Sequence, residues 1–211
     1  MINSAGRAHL ENTIGGKNGH VFRRLIHVSM LVFPFVYYWY GDHIAEYLTT
    51  VLERDISREF VVTSLLIFIV IVELGRLFFG ITIFGQREYE KKQISALAWG
   101  GVSVCICFLF APLGGYKEAY IGLPIIFTIS IVDPLLGESR KILDSDKLII
   151  SIALVVSFLI WFLSSIFLET PLWCSLIMPP LAIMAEWPSL KYIDDNATMI
   201  LVPLIASLVL I

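Results

Sequence analysis

Between Leu148 and Leu168 the chain runs for twenty-one residues without a charge. A helix needs about 20 apolar residues to cross the hydrocarbon core of a bilayer, and this stretch meets that length. Six further apolar segments follow the same pattern: Leu25 to Tyr40, Phe60 to Ile83, Ile94 to Pro112, Ala119 to Leu136, Thr170 to Trp187 and Ala197 to Ile211. The last is short and is read as starting near Ile193. Pro179 and Pro180 lie inside the sixth segment, where proline removes backbone donors, so a kink or break is predicted there. Strand-like alternation is missing, and lipid requires backbone hydrogen bonds to close within a segment. The pattern therefore predicts an all-α polytopic integral membrane protein of about seven transmembrane helices. Residues 1–20 form an N-terminal arm, and 21–211 a single transmembrane helical domain.

Composition sharpens this picture. Hydrophobic residues make up 57% of the 211 and charged residues 16%, against roughly 25% charged in ordinary soluble domains. The net charge of −3 is spread along the chain and points to no nucleic-acid partner. With the N-terminus placed inside, the cytoplasmic pieces carry Arg7, Lys17, Arg23, Arg24, Arg87, Lys91, Lys92, Arg140, Lys141, Lys147 and Lys191. The opposite side carries only Arg54, Arg58 and Lys117. Cytoplasmic loops are enriched in Lys and Arg, so this bias orients the N-terminus to the cytoplasm. The first 24 residues lack the apolar core of a signal peptide. An uncleaved first span in a prokaryotic plasma membrane or the endoplasmic reticulum is expected. Cys105, Cys107 and Cys174 lie in apolar runs, and a C-x-C pair on a helix faces two ways, so neither a disulfide framework nor a zinc site is indicated.

Ionisable groups inside membrane helices cost about 2.5–3.5 kcal/mol each and mark function. His27, Glu73, Arg76, Asp133 and Glu186 all fall near the predicted cytoplasmic ends of spans, and Asp194, Asp195 and Asn196 open the last one. Glu73 and Arg76, three apart, share a helical face and can pair. Asp133 and Asp195 are candidate Mg²⁺ ligands, since Mg²⁺ takes one or two carboxylates plus substrate phosphates. Arg23, Arg24, Arg140 and Lys141 suit phosphate oxygens. Phosphoryl transfer needs this kind of positioning and charge stabilisation.

Four segments carry a family resemblance: "FRRLIHVSM", "ELGRL" with "REYEKKQISALAWG", "SIVDPLLGESRK" and "AEWPSLKYIDDNATMILVPL". In order and spacing, from about residue 22 to 205, they resemble the dolichol kinase and phytol kinase superfamily, with which CTP-dependent diacylglycerol kinases belong. The resemblance implies a polytopic enzyme that phosphorylates a lipid alcohol (a polyprenol, a phytol-like alcohol or diacylglycerol) from CTP or ATP with Mg²⁺ or another divalent cation. Carried over by position, Asp133, Asp195, Arg23, Arg24 and His27 become catalytic candidates, with Asp133 and Asp195 holding metal. Asn196, Glu73 and Arg76 become nucleotide-side candidates in the same way, joined by Arg140 and Lys141 for their charge beside Asp133. The chain departs from the family at Val132-Asp133, where the family has Gly-Asp, and at Arg140, where it has glycine. "ILDSDK" replaces the family's longer glycine-rich nucleotide segment. The alternatives are a non-catalytic protein that binds or moves a lipid or small anion, and a related cytidylyltransferase.

Several features have simpler readings. Lys91 and Lys92 follow from the positive-inside bias alone. Asp133 before Pro134 is also a way to end a span, and Asp194-Asp195-Asn196 is a helix N-cap pattern. Phe35 to Tyr40 is read as an interfacial aromatic belt at the outer end of the first span. "GGKNGH" does not have phosphate-loop spacing.

Overall fold

The computed structural model describes residues 13–186, 190 and 192–211. Arg7, Trp187 and Lys191, with most of the N-terminal arm, lie outside them. Among the described residues there are eight α-helices: α1 Gly16–Ser29, α2 Val32–Leu52, α3 Arg58–Phe79, α4 Ala96–Phe110, α5 Gly122–Ile142, α6 Asp146–Phe167, α7 Cys174–Glu186 and α8 Asp195–Leu210. Short 3₁₀ turns at Glu88–Lys92 and Tyr116–Glu118 lie in two connections. No strand forms among the described residues; a single bridge joins Thr13 to Arg87. Taking α1 and α2 together, four helical stretches among the described residues are long and apolar enough to cross a membrane: Gly16–Leu52, Arg58–Phe79, Gly122–Ile142 and Asp146–Phe167. The helices α4, α7 and α8 are apolar but shorter.

The ends of the helices follow from side-chain caps. Ser57, Ser95 and Ser145 each accept a hydrogen bond from the backbone N–H three residues on, and Asp194 accepts from Asn196. Each cap satisfies a donor that the first helical turn leaves open. At the other end of α3, Gly80 adopts positive φ and returns its N–H to Arg76 and Leu77.

The helix α5 forms the axis. Ile125, Ile126, Ile129, Val132 and Leu136 are buried along it. It packs against α6, α8 and α1, while α7 fills between α6 and α8, and α3 lies on α4. Trp161 of α6 is fully buried and donates its Nε1–H to Thr128 Oγ1 of α5 at 3.1 Å.

Three expectations change. The first span is not one helix from Leu25 to Tyr40: the chain turns at Met30–Leu31, in mid-segment. The amphipathic α1 presents Arg23, Arg24 and His27 beside α5, and the apolar run continues separately as α2 to Leu52. Tyr37 and Tyr38 are therefore core residues rather than a belt; Tyr37 stacks on Phe108 at 4.4 Å and donates to its carbonyl. Second, Asp133 ends nothing: α5 passes through Pro134 and continues to Ile142. Gly137 to Lys141 are helical, and only Leu143–Ser145 separate α5 from α6. Third, α7 is not broken at Pro179–Pro180 but runs from Cys174 to Glu186.

Candidate functional site

Asp133 projects from α5 towards α1, where two basic side chains meet it. Arg24 Nη1 donates to Asp133 Oδ2 at 3.1 Å, and His27 Nδ1 lies 3.3 Å from the same oxygen. Arg24 and His27 sit three residues apart, so α1 brings both to one face. The approach depends on a glycine: a Cβ on Gly137 would stand 1.9 Å from Arg24 Nη2. Arg24 also lies 3.4 Å from Glu138 through Nε.

Two more carboxylates close on Asp133 from other helices. Oxygen atoms of Asp133, Glu186 and Asp195 all lie within 4.8 Å of one another. Glu186 is 8% exposed and is the last residue of α7. Asp195 is the first residue of α8, so its charge suits the helix dipole. Arg140, two turns beyond Asp133, donates to Glu186 Oε1 at 2.7 Å. Glu186 Oε2 is buried without a hydrogen-bond partner in the protein. Three desolvated carboxylates this close repel, and a buried charge is retained only when paired or bound to a cation. Asp133 and Glu186 are each paired with an arginine, and the three carboxylate oxygens are close enough that Asp133, Glu186 and Asp195 could hold a metal ion, for which an all-oxygen donor set suits a hard divalent cation.

Asp194 caps α8 beside this group. Burial, and after it the Asp195 carboxylate, holds the Asp194 carboxyl well above the usual carboxylate range.

Other residues expected at a site are placed differently. Arg23 turns away from Asp133 and donates to Glu90 Oε1 at 3.1 Å. Glu90 is 1% exposed and also accepts from the backbone N–H groups of Arg87 and Ala96. Lys141 sits on Glu138, at 2.8 and 2.9 Å, and 2.9 Å from His20 Nε2. Glu73 and Arg76 pair as their spacing predicts, through two bonds of 2.8 and 2.9 Å. Their remaining bonds are structural. Glu73 accepts from the Ser95 backbone N–H and hydroxyl, and Arg76 donates to the carbonyls of Ile81 and Gln93. The pair thus fastens α3 to the segment that leads into α4. Asn196 is buried beside Asp195, with its Oδ1 lacking a protein partner.

Sequence reasoning did not single out Glu90 or Glu138, and it marked Glu186 as an intramembrane charge without giving it a role. Glu90 sits in a run of alternating charges that reads as a solvated loop, and Glu186 sits at a span end. The signal for Glu186 was its intramembrane position; Glu90 gave none.

Two cavities flank these groups. One, of about 530 Å³, is an apolar groove between α2, α3 and α4 with His27, Glu90 and Asn196 at one end. The other, of about 190 Å³, is bordered by Arg87, Tyr89, Trp99, Tyr192, Glu186 and Asp195. Trp99 is held by its Nε1–H donating to the Tyr192 carbonyl at 3.0 Å.

No family model matches the chain, and neither a curated protein nor a solved structure matches it.

Proposed function

We propose that the chain is a membrane lipid-alcohol kinase of about seven spans, N-terminus cytoplasmic, that moves a phosphoryl group from CTP or ATP to a polyprenol, a phytol-like alcohol or diacylglycerol. The observation that carries this reading is the convergence of Asp133, Glu186 and Asp195 within 4.8 Å, between an apolar groove and a small polar cavity. The resemblance of four ordered segments to the dolichol and phytol kinase superfamily supports it.

In this reading Asp133, Glu186 and Asp195 would hold Mg²⁺, which would neutralise charge on the nucleotide phosphates. The alcohol oxygen forms the new bond to the γ-phosphorus, and the bond from that phosphorus to the β,γ-bridging oxygen breaks. The nucleoside diphosphate leaves with that oxygen. His27 borders the groove and leans on Asp133, and it takes the hydroxyl proton. Arg24 holds Asp133 in place, and Arg140 offsets charge on the transferred group from beside Glu186. The polar cavity, with Tyr89, Trp99 and Tyr192 on its walls, receives the nucleotide.

Equilibrium dialysis of labelled CTP and ATP against the purified protein tests this assignment. Binding that requires Mg²⁺ and disappears in Asp195→Asn is expected. One feature favours a second reading, a protein that binds or moves lipid without catalysis: only three residues connect α5 and α6, where the family has its nucleotide segment. Failure of both nucleotides to bind, with or without Mg²⁺, would count against the kinase and favour that second reading.

A further inference from the structure

Two guanidinium groups already stand on the carboxylates that would hold a metal. Arg24 holds Asp133 and Arg140 holds Glu186, by bonds of 3.1 and 2.7 Å. Counting His27 as neutral, the three carboxylates and two arginines leave one net negative charge on the group. A divalent cation added to all five side chains would turn that into one net positive charge in a largely buried place. Exchanged for one guanidinium, it would leave the group neutral. Uncompensated charge away from water is costly in either sign, so exchange is the favoured course.

The two arginines are not equally able to leave. Arg24 belongs to α1, fits against Gly137 and also lies 3.4 Å from Glu138, so its departure would undock α1 from α5. Arg140 lies on α5 itself, and its side chain is 43% exposed. Rotation of its long stem carries the charge into water, and an ion pair with one partner this exposed contributes only about 0–1 kcal/mol. Glu186 is the reverse case. Its side chain is 3% exposed, and it is fixed as the last residue of α7. Oε1 accepts from Arg140, while Oε2 is buried without a protein partner. A carboxylate so placed keeps its charge only beside a cation. Arg140 supplies that cation when no metal does.

We infer that Arg140 is a tethered stand-in for the metal: guanidinium and divalent cation occupy Glu186 in turn. Arg140 thereby sets the concentration at which the site fills. It also selects by charge. A monovalent ion exchanged for Arg140 leaves the group as negative as before and gains nothing, whereas a divalent one neutralises it. This deepens the metal assignment of the kinase reading and rests on it.

The test uses the purified full chain in detergent, with Mn²⁺ as the probe and neither nucleotide nor lipid acceptor present. Free Mn²⁺ is read by electron paramagnetic resonance. Arg140→Gln should bind Mn²⁺ at least about fivefold more tightly than the parent, the lower end of ordinary coupling between sites. In a Glu186→Gln background the same change should have no such effect, because the contested carboxylate is gone. Arg140→Gln leaves Glu186 without its partner, so a second readout uses the parent protein alone and decides the matter if that variant does not fold. Phenylglyoxal labelling, mapped by mass spectrometry, should rise at Arg140 when Mn²⁺ is added and not when K⁺ is added at the same ionic strength. Arg54, exposed in the connection between α2 and α3, should label equally throughout. Equal or weaker Mn²⁺ binding by folded Arg140→Gln, or Arg140 labelling indifferent to bound Mn²⁺, would overturn this inference and leave the metal site standing. Mn²⁺ bound by neither the parent nor Arg140→Gln would overturn the metal assignment beneath it. Competition between Arg140 and Mn²⁺ without phosphoryl transfer from either nucleotide would overturn the kinase reading alone.

Discussion

Arg24 reaches Asp133 at 3.1 Å because residue 137 is a glycine; a methyl group there would stand 1.9 Å from the arginine's Nη2. The contact joins α1 to the buried axis of the bundle and sets the carboxylate that the proposed chemistry needs. Gly137 is helical, so replacing it with alanine should itself favour the helix by about 0.5–1 kcal/mol. Gly137→Ala is therefore expected to unfold at the same temperature as the parent or higher, and to lose activity at least about tenfold, ~1.4 kcal/mol in the barrier. Thermal unfolding and turnover of the same preparation check both halves.

Glu186 separates a structural carboxylate from a metal-holding one. Its partner Arg140 is half-exposed, so the pair itself contributes little, about 0–1 kcal/mol. Glu186→Gln keeps the shape and removes a buried charge. Stability should be unchanged or slightly raised, while the Mg²⁺ concentration for half-maximal activity should rise by about tenfold or more. A large drop in melting temperature with unchanged Mg²⁺ dependence would mark Glu186 as structural only.

Arg76 makes the opposite case. It bonds Glu73 through two nitrogens and also reaches the carbonyls of Ile81 and Gln93. Lysine keeps the charge and cannot reproduce that planar fork. Arg76→Lys should lower stability by about 1–3 kcal/mol, the cost of leaving buried groups unpaired. Denaturation in detergent measures it, and Mg²⁺ dependence should stay unchanged because neither Glu73 nor Arg76 belongs to the carboxylate group.

The positions of the apolar helices were legible from runs of uncharged residues, and the Glu73–Arg76 pair from its spacing alone. The cap at Asp194 was equally legible. The turn at Met30–Leu31 was not, since hydrophobicity runs through it without punctuation. The continuation of α5 past Pro134 was hidden because proline and a polar run together read as an end. Glu90 was missed, and Glu186 was marked without a role, for one reason. A carboxylate's burial depends on what another part of the chain brings to it: Arg23 from α1 in one case, Arg140 from α5 in the other. The groove, too, exists only between helices distant in sequence.

The most direct measurement is phosphoryl transfer by the purified protein in detergent, with Mg²⁺, γ-labelled CTP or ATP, and geranylgeraniol, phytol, a polyprenol or diacylglycerol as acceptor. Label should enter one of these lipids, and Asp133→Asn should abolish it while leaving the protein folded. No label in any lipid from either nucleotide, with folded protein verified, would contradict the account.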